Sequence, residues 1–173
     1  MDITYRDARP EDAARLASLF KASFMETFGH LYREEDLNAF LANHDEAAWR
    51  SQIESGKLAI RIVTAGDEAI ALAKVGPVTL PVDDPDTSIE LKQLYIIKRW
   101  QGEGVAQRLM EWVLDTARAS GAAKLYLSVW TENHRARKFY SRYGFSFVAP
   151  YDYPVGKQID RDEIFGLSLR DEK

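Results

Sequence analysis

The sequence predicts an α/β fold of the mixed α+β kind, in which helices flank one central, mostly antiparallel sheet. Two apolar patterns predict it: short runs with strand-like alternation, and longer segments in which apolar residues recur at helical spacing. The strand-like runs come first as a hairpin and later as a strand–helix–strand unit, so the sheet should contain antiparallel and parallel neighbours. The chain of 173 residues, 46% of them hydrophobic, suits one compact domain over residues 1–173.

The first half of the chain predicts a strand, three helices and a hairpin. Pro10, Glu11 and Asp12 favour the start of the first helix, because proline suits the first helical turn and acids favour a helix N-terminus. A turn at residues 65–68 closes the hairpin. The predicted elements are a strand at 3–6, helices at 13–24, 37–41 and 47–53, and hairpin strands at 58–63 and 69–78.

The second half predicts a strand–helix–strand unit followed by a helix and two strands. Gly121 and Gly144 follow the last periodic residues of the two helices, which is typical of helix C-termini. The prolines and the glycine in residues 150–156 predict a loop between the last two strands. The predicted elements are a strand at 89–97, a helix at 101–120, a strand at 125–129, a helix at 133–143, and strands at 145–148 and 164–169.

The composition narrows the classes of function. The net charge is −4, whereas nucleic-acid-binding domains normally present a basic surface, so we expect no nucleic-acid partner. The chain has no cysteine, which excludes disulfides, thiolate metal sites and acyl-cysteine intermediates. Its three histidines are scattered, and we expect no metal site. The charged N-terminus and the lack of a long apolar segment predict a cytoplasmic protein without a membrane anchor.

A glycine-containing turn joins the strand at 89–97 to the long helix. Residues 101–106 read Gln-Gly-Glu-Gly-Val-Ala. Glycines allow a tight turn, and the free N–H groups of a first helical turn can then converge on an anion. The pattern lacks the Lys-Ser/Thr pair of a P-loop, and Gln107 stands where a dinucleotide-binding fold needs a third glycine. Taken alone, the turn is equally compatible with a loop that binds nothing.

Two segments resemble signatures of the GCN5-related N-acetyltransferase (GNAT) superfamily. Residues 101–106 resemble the Gln/Arg-x-x-Gly-x-Gly/Ala signature, whose loop binds the pyrophosphate of coenzyme A in that superfamily. Residues 129–145 resemble the block Asn-x-x-Ala-x-x-Phe-Tyr-x-x-x-Gly-Phe, which begins at Asn133 and includes Tyr140. The resemblance covers residues 89–147. It implies the superfamily's fold, with a splayed fourth and fifth strand, and an acyltransferase that uses acetyl-CoA as co-substrate.

The resemblance also implies which residues bind coenzyme A. In the superfamily the pantetheine arm inserts beside the bulged strand that precedes the turn and pairs with its backbone. The implied cofactor-binding residues are Leu94, Tyr95, Ile96, Gln101, Gly102, Glu103, Gly104, Val105, Ala106 and Asn133. Glu103 is a departure, because a carboxylate would repel phosphates unless its side chain points to solvent while the backbone binds.

Tyr140 and Glu90 are the implied catalytic residues. The superfamily places this tyrosine beside the CoA sulfur, where a phenol can donate a proton to the leaving thiolate. The acceptor needs a base, because an amine with a pKa of about 10.4 is almost entirely protonated at neutral pH. Glu90 lies where a glutamate of the superfamily often serves as that base, through water. The alternatives are helix packing for Tyr140 and a surface acid at a strand end for Glu90.

The acceptor side is predicted at the junction of the first two helices. Glu26, Phe28 and Tyr32 lie there, and with the acids at 34–36 and the segment at 151–156 they resemble the bacterial spermine/spermidine N-acetyltransferase branch. Carboxylates pair with ammonium groups, and aromatic rings attract cations. We therefore expect a small cationic primary amine, such as a polyamine, that attacks acetyl-CoA directly in a ternary complex.

Two other functions stay open at this point. One is a non-catalytic module that binds acetyl-CoA as a sensor or partner-binding protein. The other is an acetyltransferase that modifies a peptide or protein amine. Dimers are frequent in the superfamily, so a homodimer is a further expectation.

Overall fold

Seven strands and five α-helices make up the fold in the computed structural model, which describes residues 2–170. The strands are β1 Ile3–Asp7, β2 Ala59–Ala65, β3 Glu68–Gly76, β4 Ser88–Ile96, β5 Lys124–Trp130, β6 Ser146–Val155 and β7 Gln158–Ser168. The helices are α1 Ala13–Phe28, α2 Glu34–Ala42, α3 Glu46–Glu54, α4 Val105–Ala119 and α5 His134–Arg142. Short 3-10 turns lie at residues 10–12, 29–31, 85–87 and 98–100.

The seven strands form one sheet in the order β1-β2-β3-β4-β5-β7-β6. Neighbouring strands are antiparallel except β4 and β5, which are parallel. Helix α4 joins the parallel pair, as a crossover between parallel strands requires. The predicted mixed, mostly antiparallel sheet is therefore confirmed.

The parallel pair β4/β5 separates toward its C-terminal end. Pairing covers only residues 88–90 of β4 and 124–126 of β5. Both strands continue beyond these residues, to Ile96 and Trp130. In β4, Lys92 is an additional residue in the pairing with β3, and such a bulge bends and twists a strand. The result is the splayed pair that the sequence predicted, with a gap between the ends of β4 and β5.

Helices α1 and α4 pack against the centre of the sheet. Leu109, Met110 and Val113 of α4 are fully buried, and α1 contributes Leu16 and Phe20. Burial of one such side chain stabilises the fold by roughly 1.5–3 kcal/mol. Because α4 packs on β3 and β4, its N-terminus is held beside the end of β4. The packing thereby positions the glycine turn.

The last two strands are longer than the sequence predicted, and the loop expected at residues 150–156 is wrong. Strand β6 continues to Val155, and the chain reverses at residues 156–157 into β7. The sequence predicts a loop here because proline usually interrupts a sheet. Strand β6 is a sheet edge that pairs only with β7, and an edge strand tolerates Pro150 and Pro154 because their missing N–H groups need no partner on the open side.

Candidate active site

A cavity of about 720 Å³ lies in the gap between β4 and β5. Most of the residues implied by the resemblance line it. These are Leu94, Tyr95, Ile96, Gln101, Gly102, Gly104, Ala106, Asn133, Tyr140, Phe28 and Tyr32. The predicted site residues that do not line it are Glu26, Glu90, Glu103 and Val105.

The glycine turn places the N-terminus of α4 at the cavity. Gly102 and Gly104 have φ angles of +88° and +81°, which favour glycine. The helix therefore begins at Val105, whereas the sequence predicted a start at Gln101. Its first backbone bond runs from the Arg108 N–H to the Gly104 carbonyl, at 3.1 Å. The amides of residues 105–107 thus have no acceptor within the helix, and the helix dipole adds a positive potential there. This arrangement suits a phosphate group.

Side chains fasten this turn to its surroundings. The Gln101 side-chain amide donates to the Ile96 carbonyl at 3.1 Å, which ties the turn to the end of β4. The Glu26 carboxylate accepts from the Lys98 N–H at 2.8 Å, which ties α1 to the same region. The sequence predicts that Glu26 contacts the acceptor, but in the structure its carboxylate binds the backbone N–H of Lys98, just before the turn.

The two remaining turn residues, Glu103 and Val105, do not line the cavity. Glu103 is exposed to solvent. The Val105 side chain is buried in the core beneath α4. Neither side chain obstructs the helix-terminal amides.

Helix α5 contributes Asn133 and Tyr140. The Asn133 side-chain oxygen accepts from the Ala136 N–H at 3.2 Å and caps the helix, which leaves its NH₂ group unused by the cap. The Tyr140 side chain is 9% exposed and packs against the rings of Phe139 and Phe145. Burial raises the pKa of Tyr140 well above its ordinary value. The phenol therefore stays protonated at neutral pH and can donate a hydrogen bond into the cavity.

The two ends of the cavity differ in charge. Exposed basic side chains of α5 lie at one part of the lining: Arg135, Lys138 and Arg142. Asp160 and Asp162 of β7 lie at another part. Basic groups suit the phosphates of a nucleotide-like cofactor, and the carboxylates suit a cation. The cavity can therefore hold two ligands of opposite charge.

Aromatic side chains surround the acidic end. The Phe28 ring meets the Trp130 ring edge-on, with centroids 5.6 Å apart. Tyr32 stacks on Phe24 at 5.9 Å, and its hydroxyl donates to the Asp160 carboxylate. Burial and this hydrogen bond raise the pKa of Tyr32. Phe28 and Tyr32 thus lie where the sequence predicted an acceptor site.

Asp162 is the feature of the site that the sequence analysis missed. Its side chain is 8% exposed and lines the cavity. Burial, and then the charge of Asp160, raises the pKa of Asp162 to about 7. The available signal was the spacing of Asp160, Asp162 and Ile164, because alternate residues of a strand share a face. The sequence predicts that the last strand begins only at Ile164.

Glu90 lies outside the cavity lining. Its carboxylate is 6% exposed. It accepts from the Thr79 N–H at 2.8 Å and the Thr79 hydroxyl at 3.2 Å, and it pairs with Lys92 at 3.2 Å. These contacts hold the segment after β3 against β4. The role of Glu90 as a base stays a prediction.

Residues 2–170 contain no group of three His, Cys, Asp or Glu side chains that could hold a metal ion. None of the helices in the same range combines the length and apolar character that a membrane crossing needs.

Relatives of the chain are N-acetyltransferases by name. An uncharacterized N-acetyltransferase of Lactobacillus delbrueckii subsp. lactis is 25% identical over 169 residues, which span 92% of this chain and 93% of that protein. An uncharacterized N-acetyltransferase of Mycobacterium tuberculosis is 33% identical over 84 residues, or 49% of this chain. The match spans 54% of the mycobacterial protein, about half of its length.

Solved structures share the fold over nearly the whole chain. The PaiA N-acetyltransferase of Thermoplasma acidophilum, in complex with coenzyme A, gives a TM-score of 0.77 at 18% identity and covers 97% of this chain and 99% of its own. The yncA protein of Salmonella typhimurium, with its cofactor acetyl-CoA, gives 0.71 at 18% identity and covers 98% and 95%. At these identities the similarity establishes the fold.

The model of the Acetyltransferase (GNAT) family matches residues 14–145. This stretch is more than half of the chain, and it includes the glycine turn and the helix that carries Tyr140. The splayed strands and the helix-terminal amides agree with the match. The chain therefore belongs to the acetyltransferase (GNAT) family.

Proposed function

We propose that the protein is an N-acetyltransferase that moves the acetyl group of acetyl-CoA to the primary amine of a small cationic acceptor. One observation carries this proposal: the glycine turn, with its free helix-terminal amides, and the Tyr140 phenol line the same cavity between β4 and β5. An anion site and a proton donor are what transfer from a coenzyme A thioester needs. Two proteins of the same fold hold coenzyme A and acetyl-CoA.

The turn and the separated strands would hold acetyl-CoA. The amides of residues 105–107 suit its diphosphate. Backbone groups of Leu94, Tyr95 and Ile96, on the edge of β4 that β5 has left, suit the amides of the pantetheine arm, and the NH₂ group of Asn133 adds a donor. Bound acetyl-CoA supplies the thioester from which the acetyl group is transferred.

Tyr140 is proposed to donate a hydrogen bond, and then a proton, to the departing sulfur. A thiol has a pKa of about 8.5 and an ordinary phenol about 10, so the phenol gives up its proton to the thiolate only as it takes another from the amine nitrogen. Burial raises the pKa of Tyr140 further, which makes this coupled uptake necessary. A positioned acid typically contributes about 10²–10⁴-fold to a rate.

The acceptor is proposed to be a primary amine with positive charge, and a polyamine is the finer proposal. The acidic end of the cavity has carboxylates for ammonium groups and the rings of Phe28, Tyr32 and Trp130 for methylene groups. Ammonium groups also interact favourably with aromatic faces, by about 0.5–2 kcal/mol. A neutral or anionic acceptor would leave the Asp162 carboxylate without a cation to pair with.

Glu90, the predicted base, would need water to reach the amine. Its carboxylate already accepts from Thr79 and pairs with Lys92. A base role would therefore require a chain of water molecules from the cavity to this position.

The proposal also includes a cytoplasmic location and a homodimer, both of which are expected from the sequence.

The proposal is tested by measuring CoA release with a panel of amines. The panel contains spermidine, an aminoglycoside, an amino acid and a lysine-containing peptide. Because the chain has no cysteine, a thiol reagent reports only the CoA that is released. We expect turnover with spermidine to exceed turnover with the peptide. Tight CoA binding without turnover would favour the sensor function, and turnover restricted to the peptide would favour a protein amine as acceptor.

A further inference from the structure

Asp162 is a buried residue whose carboxylate has no hydrogen-bond or ion-pair partner among residues 2–170. It is 8% exposed, and the causes of its raised pKa are burial and the charge of Asp160. Buried carboxylates in proteins are normally paired or hydrogen-bonded, because burial of an isolated charge is costly. Two other carboxylates of the sheet follow this rule: Asp160 accepts from Tyr32, and Glu90 contacts Thr79 and Lys92. Asp162 is the exception, and it lines the cavity.

The strand register places Asp162 among the acceptor-side aromatic residues. On β7 it lies opposite Trp130 of β5 and opposite Tyr151 of β6. Trp130 is the last residue of β5, beyond the point at which β4 and β5 separate, and it also lines the cavity. Phe28 packs on Trp130 from α1. Asp162 therefore belongs to the wall that an acceptor would meet.

Tyr95 connects this wall with the proton donor on α5. Desolvation raises the pKa of Tyr95, and Tyr153, Tyr140 and Asp162 add to the effect. Tyr95 is thus within electrostatic reach of both Tyr140 and Asp162. The two groups that a transfer reaction needs, an acid for the sulfur and an acceptor for the amine proton, lie around one residue of β4.

On the basis of the proposed function, we propose that Asp162 binds the ammonium group of the acceptor and accepts its proton. The carboxylate of Asp162 takes one proton from the ammonium, which leaves a neutral amine. The nitrogen forms a bond to the acetyl carbon as the bond from that carbon to sulfur breaks. The Tyr140 phenol gives its proton to the sulfur and takes up the second nitrogen proton in its place. Asp162 then returns its proton to solvent. The products are the amide, the thiol of CoA and one proton.

The charges around Asp162 favour this role. The titratable groups that face it are Asp160 on its own strand, Tyr151 and Tyr153 on β6, Tyr95 on β4 and Tyr32 after α1. All of them are acids, and Lys92, which also lines the cavity, is already paired with Glu90. An acceptor ammonium would therefore suit this position. A carboxyl group whose pKa lies near 7 is also a better proton acceptor than an ordinary aspartate, because the transfer from the ammonium is less unfavourable.

The test compares Asp162→Asn with the wild type, using spermidine and the weakly basic primary amine aminoacetonitrile. For spermidine, kcat/KM should fall by about 100-fold or more, the usual range for loss of a general base. For aminoacetonitrile, which is already neutral at pH 7, the loss should be much smaller. The pH profile should also change: the variant should lose the inflection near pH 7 that Asp162 gives the wild type, and its activity should rise with pH as the amine deprotonates.

Asp115→Asn is the matched control, because Asp115 is exposed on α4 and does not line the cavity. It should keep the wild-type kcat/KM and pH profile. CoA affinity should be equal in all three proteins, which shows that the variants are folded. An Asp162→Asn variant with wild-type kcat/KM for spermidine would overturn the role of Asp162 while leaving the proposed function intact. If the wild type turns over no amine, equal spermidine affinity of the CoA-bound wild type and Asp162→Asn would overturn it as well.

Discussion

Stability should depend on pH through Asp162, and Asp162→Asn should remove that dependence. Burial, with the charge of Asp160, raises the pKa of Asp162 from 3.8 to about 7. Between these pH values the folded protein holds a proton that the unfolded chain has released, so the free energy of unfolding falls as pH rises. Below pH 3.8 both states hold the proton, and above about pH 7 both have lost it, so the dependence ends outside this window.

The magnitude follows from the size of the pKa difference. One pKa unit corresponds to about 1.4 kcal/mol. Asp162 should therefore lower the free energy of unfolding by about 4 kcal/mol across the whole window, and by about 2 kcal/mol between pH 5 and pH 7, because half of the folded molecules still hold the proton at pH 7. This is a large fraction of the total stability of a typical domain, about 5–15 kcal/mol.

Urea unfolding of the wild type, Asp162→Asn and the control Asp115→Asn at pH 5, 6, 7 and 8 measures this effect. Relative to the wild type, Asp162→Asn should gain about 2 kcal/mol between pH 5 and pH 7 and less than about 0.5 kcal/mol more by pH 8. The free energy of unfolding of the control should change with pH in the same way as that of the wild type. Parallel curves for Asp162→Asn and the wild type would refute the argument, because they would mean that Asp162 has the same pKa in the folded and unfolded states.

Three further substitutions test the other parts of the site. Tyr140→Phe should lower kcat by at least about tenfold with unchanged CoA affinity, whereas Tyr143→Phe on the same helix should have little effect; equal rates for both would exclude Tyr140 from the reaction. Gly104→Ala should weaken CoA binding by about tenfold, the loss expected for one hydrogen bond to a charged group. Gly121→Ala is its control for strain, since Gly121 has a similar φ of +79° at the other end of α4, and an equal change in CoA affinity in both would count against the phosphate site. Glu90→Gln should reduce kcat/KM for spermidine less than Asp162→Asn does, and the reverse order in initial rates would return the base role to Glu90.

The local features of the site could be predicted because they depend on short stretches of sequence. The turn at 101–106 needs glycines at positive φ, and these stand next to an amphipathic helix with a clear apolar stripe. Asn133 caps a helix that begins one residue later, and Tyr140 follows on that same helix. Capping and helical periodicity act over a few residues, so the sequence contains the signal.

The acidic wall could not be predicted because it depends on pairing between distant segments. Asp162 reaches the cavity only because β7 pairs with β5 along its whole length, next to the gap. The sequence pattern predicted a loop at 150–156, since Pro150 and Pro154 argue against a strand unless its edge position is known, and it began the last strand only at Ile164, beyond Asp162. Glu90 illustrates the same limit: its neighbours Thr79 and Lys92 result from the bulge and from the course of the segment after β3.

A crystal structure of the protein with coenzyme A tests the central claim most directly. The account predicts that the diphosphate accepts hydrogen bonds from the amides of residues 105–107, that the pantetheine arm lies along Leu94–Ile96 in the gap, and that the sulfur is next to the Tyr140 hydroxyl. Coenzyme A bound elsewhere, or in the gap with its sulfur far from Tyr140, would contradict it.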